Sequence, residues 1–144
     1  MTIPGNQPEG RRHQDEVLID AHLRALAESD VDALLGTVAD NIEYDFIAGA
    51  TGAVRGKDAV RAHHLTEFAN VISERWIPLR RLYGEGFVVD EVIWEGRITG
   101  RLGALVGKGR RVSQRVLRIF EIRNGQVSRQ SIYSDHAAVA RQLP

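Results

Sequence analysis

Two charged side chains in the last third of the sequence sit where charge is costly. Asp90 lies in the strand-like stretch GFVVDEVIWEGRITG, and Arg118 lies in RRVSQRVLRIFEI. In residues 87–99 alternation sorts Val88, Asp90, Val92, Trp94, Gly96 and Ile98 onto one face, and Phe87, Val89, Glu91, Ile93, Glu95 and Arg97 onto the other. The first set has one charge and the second has three, so the first faces inward. In residues 112–122 the set Val112, Gln114, Val116, Arg118, Phe120 and Ile122 faces inward by the same test. An inward carboxylate could act as a general acid or base, because burial raises its proton affinity toward useful values. An inward guanidinium could hold a substrate carboxylate or steady an enolate. The structural alternative is a buried Asp90–Arg118 pair bridging neighbouring strands. Two further groups could take part. Tyr44 could donate its hydroxyl to a carbonyl oxygen, and His64 could shuttle a proton. Each could equally be a hydrogen-bonded core residue.

These groups need elements to hold them. Ile19, Leu23 and Leu26 recur with helical spacing and predict a helix over 14–28. Ser29-Asp30 ends it and caps a short second helix over 31–38. Ile42, Tyr44 and Phe46 alternate with Glu43 and Asp45, the period of a half-buried strand. A glycine-rich loop over 48–56 leads to a third helix over 58–72. On it Val60, His64, Phe68 and Val71 form one stripe, which leaves His63 facing solvent. Residues 76–83 predict a strand that Pro78 places at an edge or a bulge. Strands over 87–99, 112–122 and 126–134 follow, the last two joined through Asn124-Gly125, a strong hairpin signal. The last strand leaves its face open, since Gln130 and Ile132 oppose Ser131 and Tyr133. The order predicts an α+β fold: a curved, mostly antiparallel sheet shaped as a cone, with about three helices over its concave face. Residues 1–13 are expected as a flexible tail, 14–136 as the single domain, and 137–144 as a C-terminal tail with at most a short helical turn.

A cone encloses a pocket. Its expected lining is Tyr44, Phe46, His64, Val92, Trp94, Ile98, Val116 and Phe120, with Asp90 and Arg118, and with Gln130 and Ile132 from the last strand. A largely apolar cavity with a few polar groups suits a hydrophobic small molecule. Composition excludes other classes. Nineteen basic residues balance nineteen acidic ones over 144 residues, so no basic face for nucleic acid is expected. There is no cysteine, and the five histidines show no metal-binding spacing, so neither metal nor cofactor is expected. No apolar run is long enough to span a membrane, and the N-terminus has no secretory h-region, so the expected location is the cytoplasm. The basic run Lys108, Arg110 and Arg111 reads as a solvated loop. Phe87, Val89, Ile93, Leu117 and Ile119 share the convex face, too apolar a patch to leave wet, which predicts a homodimer through that face.

The stretches ALAESDVDALLGTVADNIEYDF, VRGKDAVRAHH, WEGRITG and RVLRIFEIRNGQVSRQSIYSD resemble, in that order, the nuclear transport factor 2-like superfamily and its SnoaL-like polyketide cyclase and ketosteroid-isomerase-like members. The likeness covers residues 14–136. It implies the cone fold, a pocket and a dimer, and it points to a cofactor-independent isomerase, cyclase or lyase. The reaction expected is proton transfer on a hydrophobic, carbonyl-bearing molecule of polyketide or terpenoid type. Known catalytic residues do not carry over. SnoaL-like cyclases resemble GRITG with a histidine where this chain has Ile98, and an acid/base aspartate where Arg118 stands. Limonene-epoxide-hydrolase-like members share a tyrosine matching Tyr44, but their arginine and two aspartates fall at Val92, Trp94 and Ile132. A ketosteroid-isomerase-like base would fall near Phe46, whereas Asp45 points the other way. Two alternatives stand beside the proton-transfer enzyme. One is a non-catalytic binding protein of the same fold, and the other is an epoxide-hydrolase-like enzyme without the usual acidic pair.

Overall fold

The computed structural model describes residues 9–48 and 52–143. Helix α1 (Glu9–Ala27) buries Asp15, Ile19, His22 and Leu26 at spacings of four, three and four, one face of a helix. It begins before the expected Gln14 and takes in residues assigned to the tail. Ser29, at φ 55°, closes it. Asp30 then caps α2 (Val31–Leu35), its carboxylate accepting the Ala33 N–H at 3.0 Å. The second helix is shorter than expected because Val38 already pairs with Val127 in the sheet.

The first strand β1 (Val38–Phe46) is followed by the two-residue β2 (Val54–Arg55), then α3 (Lys57–Asn70) and β3 (Val71–Gly84). That edge strand starts directly after α3, earlier than residue 76. Pairing of Val71 with Ile98 extends the ladder back through Ser73, Glu74 and Arg75, a polar run without an alternating apolar signal. Pro78 lies on the edge strand, next to the irregularity between Pro78 and Arg80. A two-residue turn with Gly86 at φ 79° leads to β4 (Phe87–Ile98). A small hairpin, β5 (Arg101–Leu102) and β6 (Leu105–Val106), occupies the glycine-rich loop. Then β7 (Arg110–Arg123) and β8 (Gln126–Ser134) pair through Asn124-Gly125, both with positive φ, as a tight hairpin requires. Asp135 caps α4 (His136–Gln142), where only a helical turn was expected.

The six-stranded sheet has the order β2-β1-β8-β7-β4-β3. All of its pairs are antiparallel except β1 with β8, which lie parallel. The fold is the expected curved α+β cone. On β4 burial alternates without a break from Val88 to Ile98, and on β7 Val112, Val116, Arg118 and Phe120 are buried. On β8 Gln130 and Ile132 are buried, and of the opposing set Tyr133 is exposed while Ser131 is also buried. Among the described residues no helix is long and apolar enough to cross a membrane.

Candidate active site

Within the cone lies a cavity of about 630 Å³. Tyr44 and Phe46 of β1, Trp94 of β4, Val116 and Arg118 of β7, and Ile132 of β8 line it, as expected. Trp94 lies flat over Gly96, where a Cβ would come within 2.4 Å of its ring and 2.2 Å of the Ile72 carbonyl. Its indole N–H donates to Ser73 Oγ at 2.8 Å, which fixes the ring as a wall.

Several expected lining residues lie elsewhere. Ile98, Phe120 and Gln130 are fully buried in the packing beneath the cavity and do not line it. Val92 and Asp90 face a second, smaller depression of about 240 Å³ between α1 and β3. Asp90 is opposite Arg118 in the strand register, yet the two form no ion pair. Arg81, one strand further out, donates from Nε to Asp90 Oδ1 at 2.9 Å and from Nη1 to Asp20 Oδ1 at 2.7 Å. Asp90 therefore ties β4 to β3 and, through Arg81, to α1.

Freed of Asp90, Arg118 leans over the Trp76 indole, its guanidinium carbon 4.9 Å from the ring centroid. It is 6% exposed, and among the described residues its Nε and Nη1 have no hydrogen-bond partner. Burial lowers its proton affinity, against the fields of Tyr44, Glu67 and Asp90. An arginine nonetheless stays cationic at neutral pH. A buried cation with open donors, at the wall of a cavity, can receive an anion or a developing oxyanion.

Helix α3 presents a polar edge to the same cavity. The helical period points His63 to solvent and gives no signal for Glu67, yet both line the cavity. His63 Nε2 lies 3.4 Å from Glu67 Oε2, one helical turn away. Burial pushes the Glu67 carboxyl up, but the His63 imidazole 3.4 Å away and the nearby His64 and Arg118 outweigh it and hold the group below the usual range. Glu67 is thus ionised at neutral pH and is placed to accept a proton. His63, Thr66, Glu67 and Asn70 form an i, i+3, i+4, i+7 stripe without one apolar member. Such a stripe reads as a solvated face in sequence, and it becomes a cavity wall only because the cone opens on that side.

Tyr44 stacks obliquely on His63, with centroids 4.7 Å apart, and meets His64 edge-on at 5.0 Å. Burial, reinforced by Glu67 and opposed by Arg118, pushes its phenol up, so it stays a neutral O–H donor. His64 lies behind the lining, 1% exposed. Its ring packs among Tyr44, His63 and Phe68, and it is a core residue. Burial lowers it to about 4, with Glu67 acting in the opposite direction and His63 and Arg118 in the same one. Among the described residues, no three His, Asp or Glu side chains gather as a metal would require.

A second histidine, unremarked in the sequence, supports this core. His22 is fully buried and faces Phe120 edge-on. The single Thr37 hydroxyl hydrogen goes to the Leu34 carbonyl at 2.6 Å, so Thr37 Oγ accepts from His22 Nδ1 at 2.7 Å. That fixes the proton on Nδ1. Burial, with the fields of His64 and Arg118, lowers His22 to about 3, while Gln130 acts in the opposite direction. Both imidazoles fold neutral and charge in the unfolded chain below 6.5, so the unfolded state binds the extra protons. Stability is therefore full above pH 6.5 and falls as pH drops toward the folded values of about 4 and about 3. Between pH 7 and pH 5 each costs about 2 kcal/mol. The melting temperature should drop steeply over that interval, and His22→Gln should roughly halve the slope. A melting temperature that is flat from pH 7 to pH 5 would contradict both assignments.

A cone closed by helices around an apolar cavity, with an arginine, a tyrosine and a carboxylate beside an imidazole on its wall, has the nuclear transport factor 2-like fold. The chain belongs to the SnoaL-like polyketide cyclase family, whose model matches residues 16–143. Among solved structures it resembles a putative polyketide cyclase from Xanthomonas campestris at 20% identity, covering 92% of this chain and 98% of that one, with a TM-score of 0.75. A nuclear transport factor 2-like protein from Burkholderia xenovorans aligns at 20% identity over 92% and 97% of the two chains, with a TM-score of 0.73. An LEH-like epoxide hydrolase from M. tuberculosis aligns at 19% identity over 91% and 90%, with a TM-score of 0.72. At these identities the likeness to the solved structures is one of fold. No curated protein matches the chain by sequence.

Proposed function

We propose that this protein is a cofactor-independent enzyme that moves a proton on a hydrophobic, carbonyl-bearing small molecule of polyketide or terpenoid type, in a cyclisation, isomerisation or dehydration. The observation that carries this reading is the Arg118 guanidinium, its Nε and Nη1 without hydrogen-bond partners among the described residues, on the wall of the same cavity as an ionised Glu67. Glu67 takes a proton from carbon adjacent to the carbonyl. The carbonyl oxygen becomes an enolate oxyanion held by Arg118 and the Tyr44 hydroxyl, and the proton returns at the same or a neighbouring atom. In this reading the roles expected of Asp90 and His64 fall to Glu67 and His63. A carboxylate held below its usual range is a weak base, so it is matched to acidic C–H bonds such as those activated by two unsaturated groups.

Arg118→Met tests the anion-receptor half of this reading. Binding of 2-naphthoate, measured by calorimetry, should weaken roughly tenfold to a hundredfold, as expected for a charged hydrogen bond. The methyl ester should change little. Equal losses for acid and ester, or no loss for either, would remove Arg118 from the site. A protein that binds naphthoate through Arg118 but never exchanges a substrate proton would be the binding protein of the alternative reading.

We also propose that the convex sheet face seats a second copy of this chain. Phe87, Val89, Ile93, Leu117 and Ile119 stay half-buried there, and Tyr133 is 46% exposed. Glu91 and Arg115 on that face already pair with each other at 3.0 Å, which leaves its apolar groups unpartnered. Light scattering at micromolar concentration should give the mass of a dimer, and a monomeric mass would refute it.

A further inference from the structure

The cavity has a second polar end that the proton-transfer reading does not use. Gln114 Oε1, Ser134 Oγ and His136 Nδ1 are buried at the cavity wall and, among the described residues, have no hydrogen-bond partner. They come from three elements that meet at one end of the cone. Gln114 is on β7, Ser134 is the last residue of β8, and His136 opens α4, which packs on β7. Gly103, at the tip of the small hairpin, lies against His136, so the hairpin borders the same end. Stranding three polar atoms in this way is costly unless a ligand completes them.

Gln114 and Arg118 are four residues apart on the same face of β7, so their Cα atoms are separated by roughly 13 Å along the strand. The wall between them is apolar: Val116 of β7, Trp94 of β4 and Ile132 of β8. The two ends also differ in chemistry. Arg118 offers donors only and takes an oxyanion or a carboxylate. At the other end the Gln114 carbonyl oxygen accepts, while Ser134 and His136 can donate or accept. A second carboxylate there would leave the Gln114 carbonyl oxygen unmatched, since it has no proton to give. A hydroxyl, phenol or enol satisfies the cluster, donating to Gln114 and accepting from Ser134 or His136.

We infer that Gln114, Ser134 and His136 form a specificity subsite for a ligand hydroxyl, and that the substrate is a two-ended molecule with an acidic or enolisable end at Arg118, an apolar body longer than one ring, and a hydroxyl at the far end. This rests on the reading of Arg118 given above and extends it to the class of substrate.

Three pairs of aromatic acids test the subsite, each with and without the distal hydroxyl: benzoate and 4-hydroxybenzoate, 2-naphthoate and 6-hydroxy-2-naphthoate, and biphenyl-4-carboxylate and its 4′-hydroxy derivative. Calorimetric titration should show the hydroxyl strengthening binding roughly fivefold to tenfold in the longer acids and not in the single-ring pair. That gain, read in each variant as the hydroxylated acid against its own parent, should vanish in Gln114→Leu and shrink in Ser134→Ala. The near-isosteric Ser134→Ala keeps the test usable if Gln114→Leu melts early. The inference is overturned if no hydroxylated acid outbinds its parent, including the case where none binds. It is also overturned if the gain is the same for one ring as for two, or if it survives both substitutions. Failure of the Arg118 reading is separate and shows as naphthoate binding that is indifferent to Arg118→Met.

Discussion

Glu67→Gln is expected to slow protein-catalysed proton exchange roughly 10²- to 10⁴-fold, the usual contribution of a positioned acid or base. The amide keeps the shape of the carboxyl and its place beside His63, but it cannot take the proton. The measurement is deuterium uptake from solvent into 2-tetralone, whose doubly activated carbon suits a weak base, followed by proton NMR. Binding of 2-naphthoate should stay within a few-fold, because Arg118 and the apolar walls are untouched. Asp90→Asn is the contrasting variant. Its carboxylate faces the smaller depression and Arg81, so exchange should stay within a few-fold of the unsubstituted protein. Undiminished exchange in Glu67→Gln would remove this residue from the chemistry. Loss in Asp90→Asn without loss in Glu67→Gln would return the role to Asp90.

Removing the Arg81 side chain should cost the fold about 3–5 kcal/mol, the range for stripping one partner from a buried ion pair. Asp90 is 3% exposed, and its Oδ2 already has no hydrogen-bond partner among the described residues. In Arg81→Met its Oδ1 would lose its partner too, leaving a whole carboxylate uncompensated beneath α1. The link from α1 to the edge strand through Asp20 would be lost as well. Urea unfolding of the single variant and of Arg81→Met combined with Asp90→Leu checks this. The double variant should recover most of the loss, since the charge that made the gap costly is gone. A single variant within about 1 kcal/mol of the parent would show that Asp90 finds another partner, and Arg118 is then the first to examine.

The sequence by itself determined the cone and which strand faces look inward. Alternation is a local property of each strand, so Asp90, Trp94 and Arg118 could be assigned to the buried face from residue order alone. The Asn124-Gly125 turn fixed the pairing of β7 with β8 in the same local way. Only the tertiary structure decided which inward residues share a space. Asp90 and Arg118 are opposite each other in register, yet long side chains do not follow Cα neighbours. Arg81 reaches in from the edge strand to take Asp90, and Arg118 leans over Trp76 instead. The inward faces of the strands also divide between two depressions and solid packing, so alternation placed Val92, Ile98, Phe120 and Gln130 inside without placing them at the cavity. On α3 the apolar stripe through His64 was legible and marks the face packed against the core. The wholly polar stripe through His63 and Glu67 carries the candidate chemistry, and nothing in a helical period distinguishes a polar face turned to bulk water from one turned to a cavity. That distinction depends on where the sheet curves away from the helix, which is set by contacts far apart in the chain.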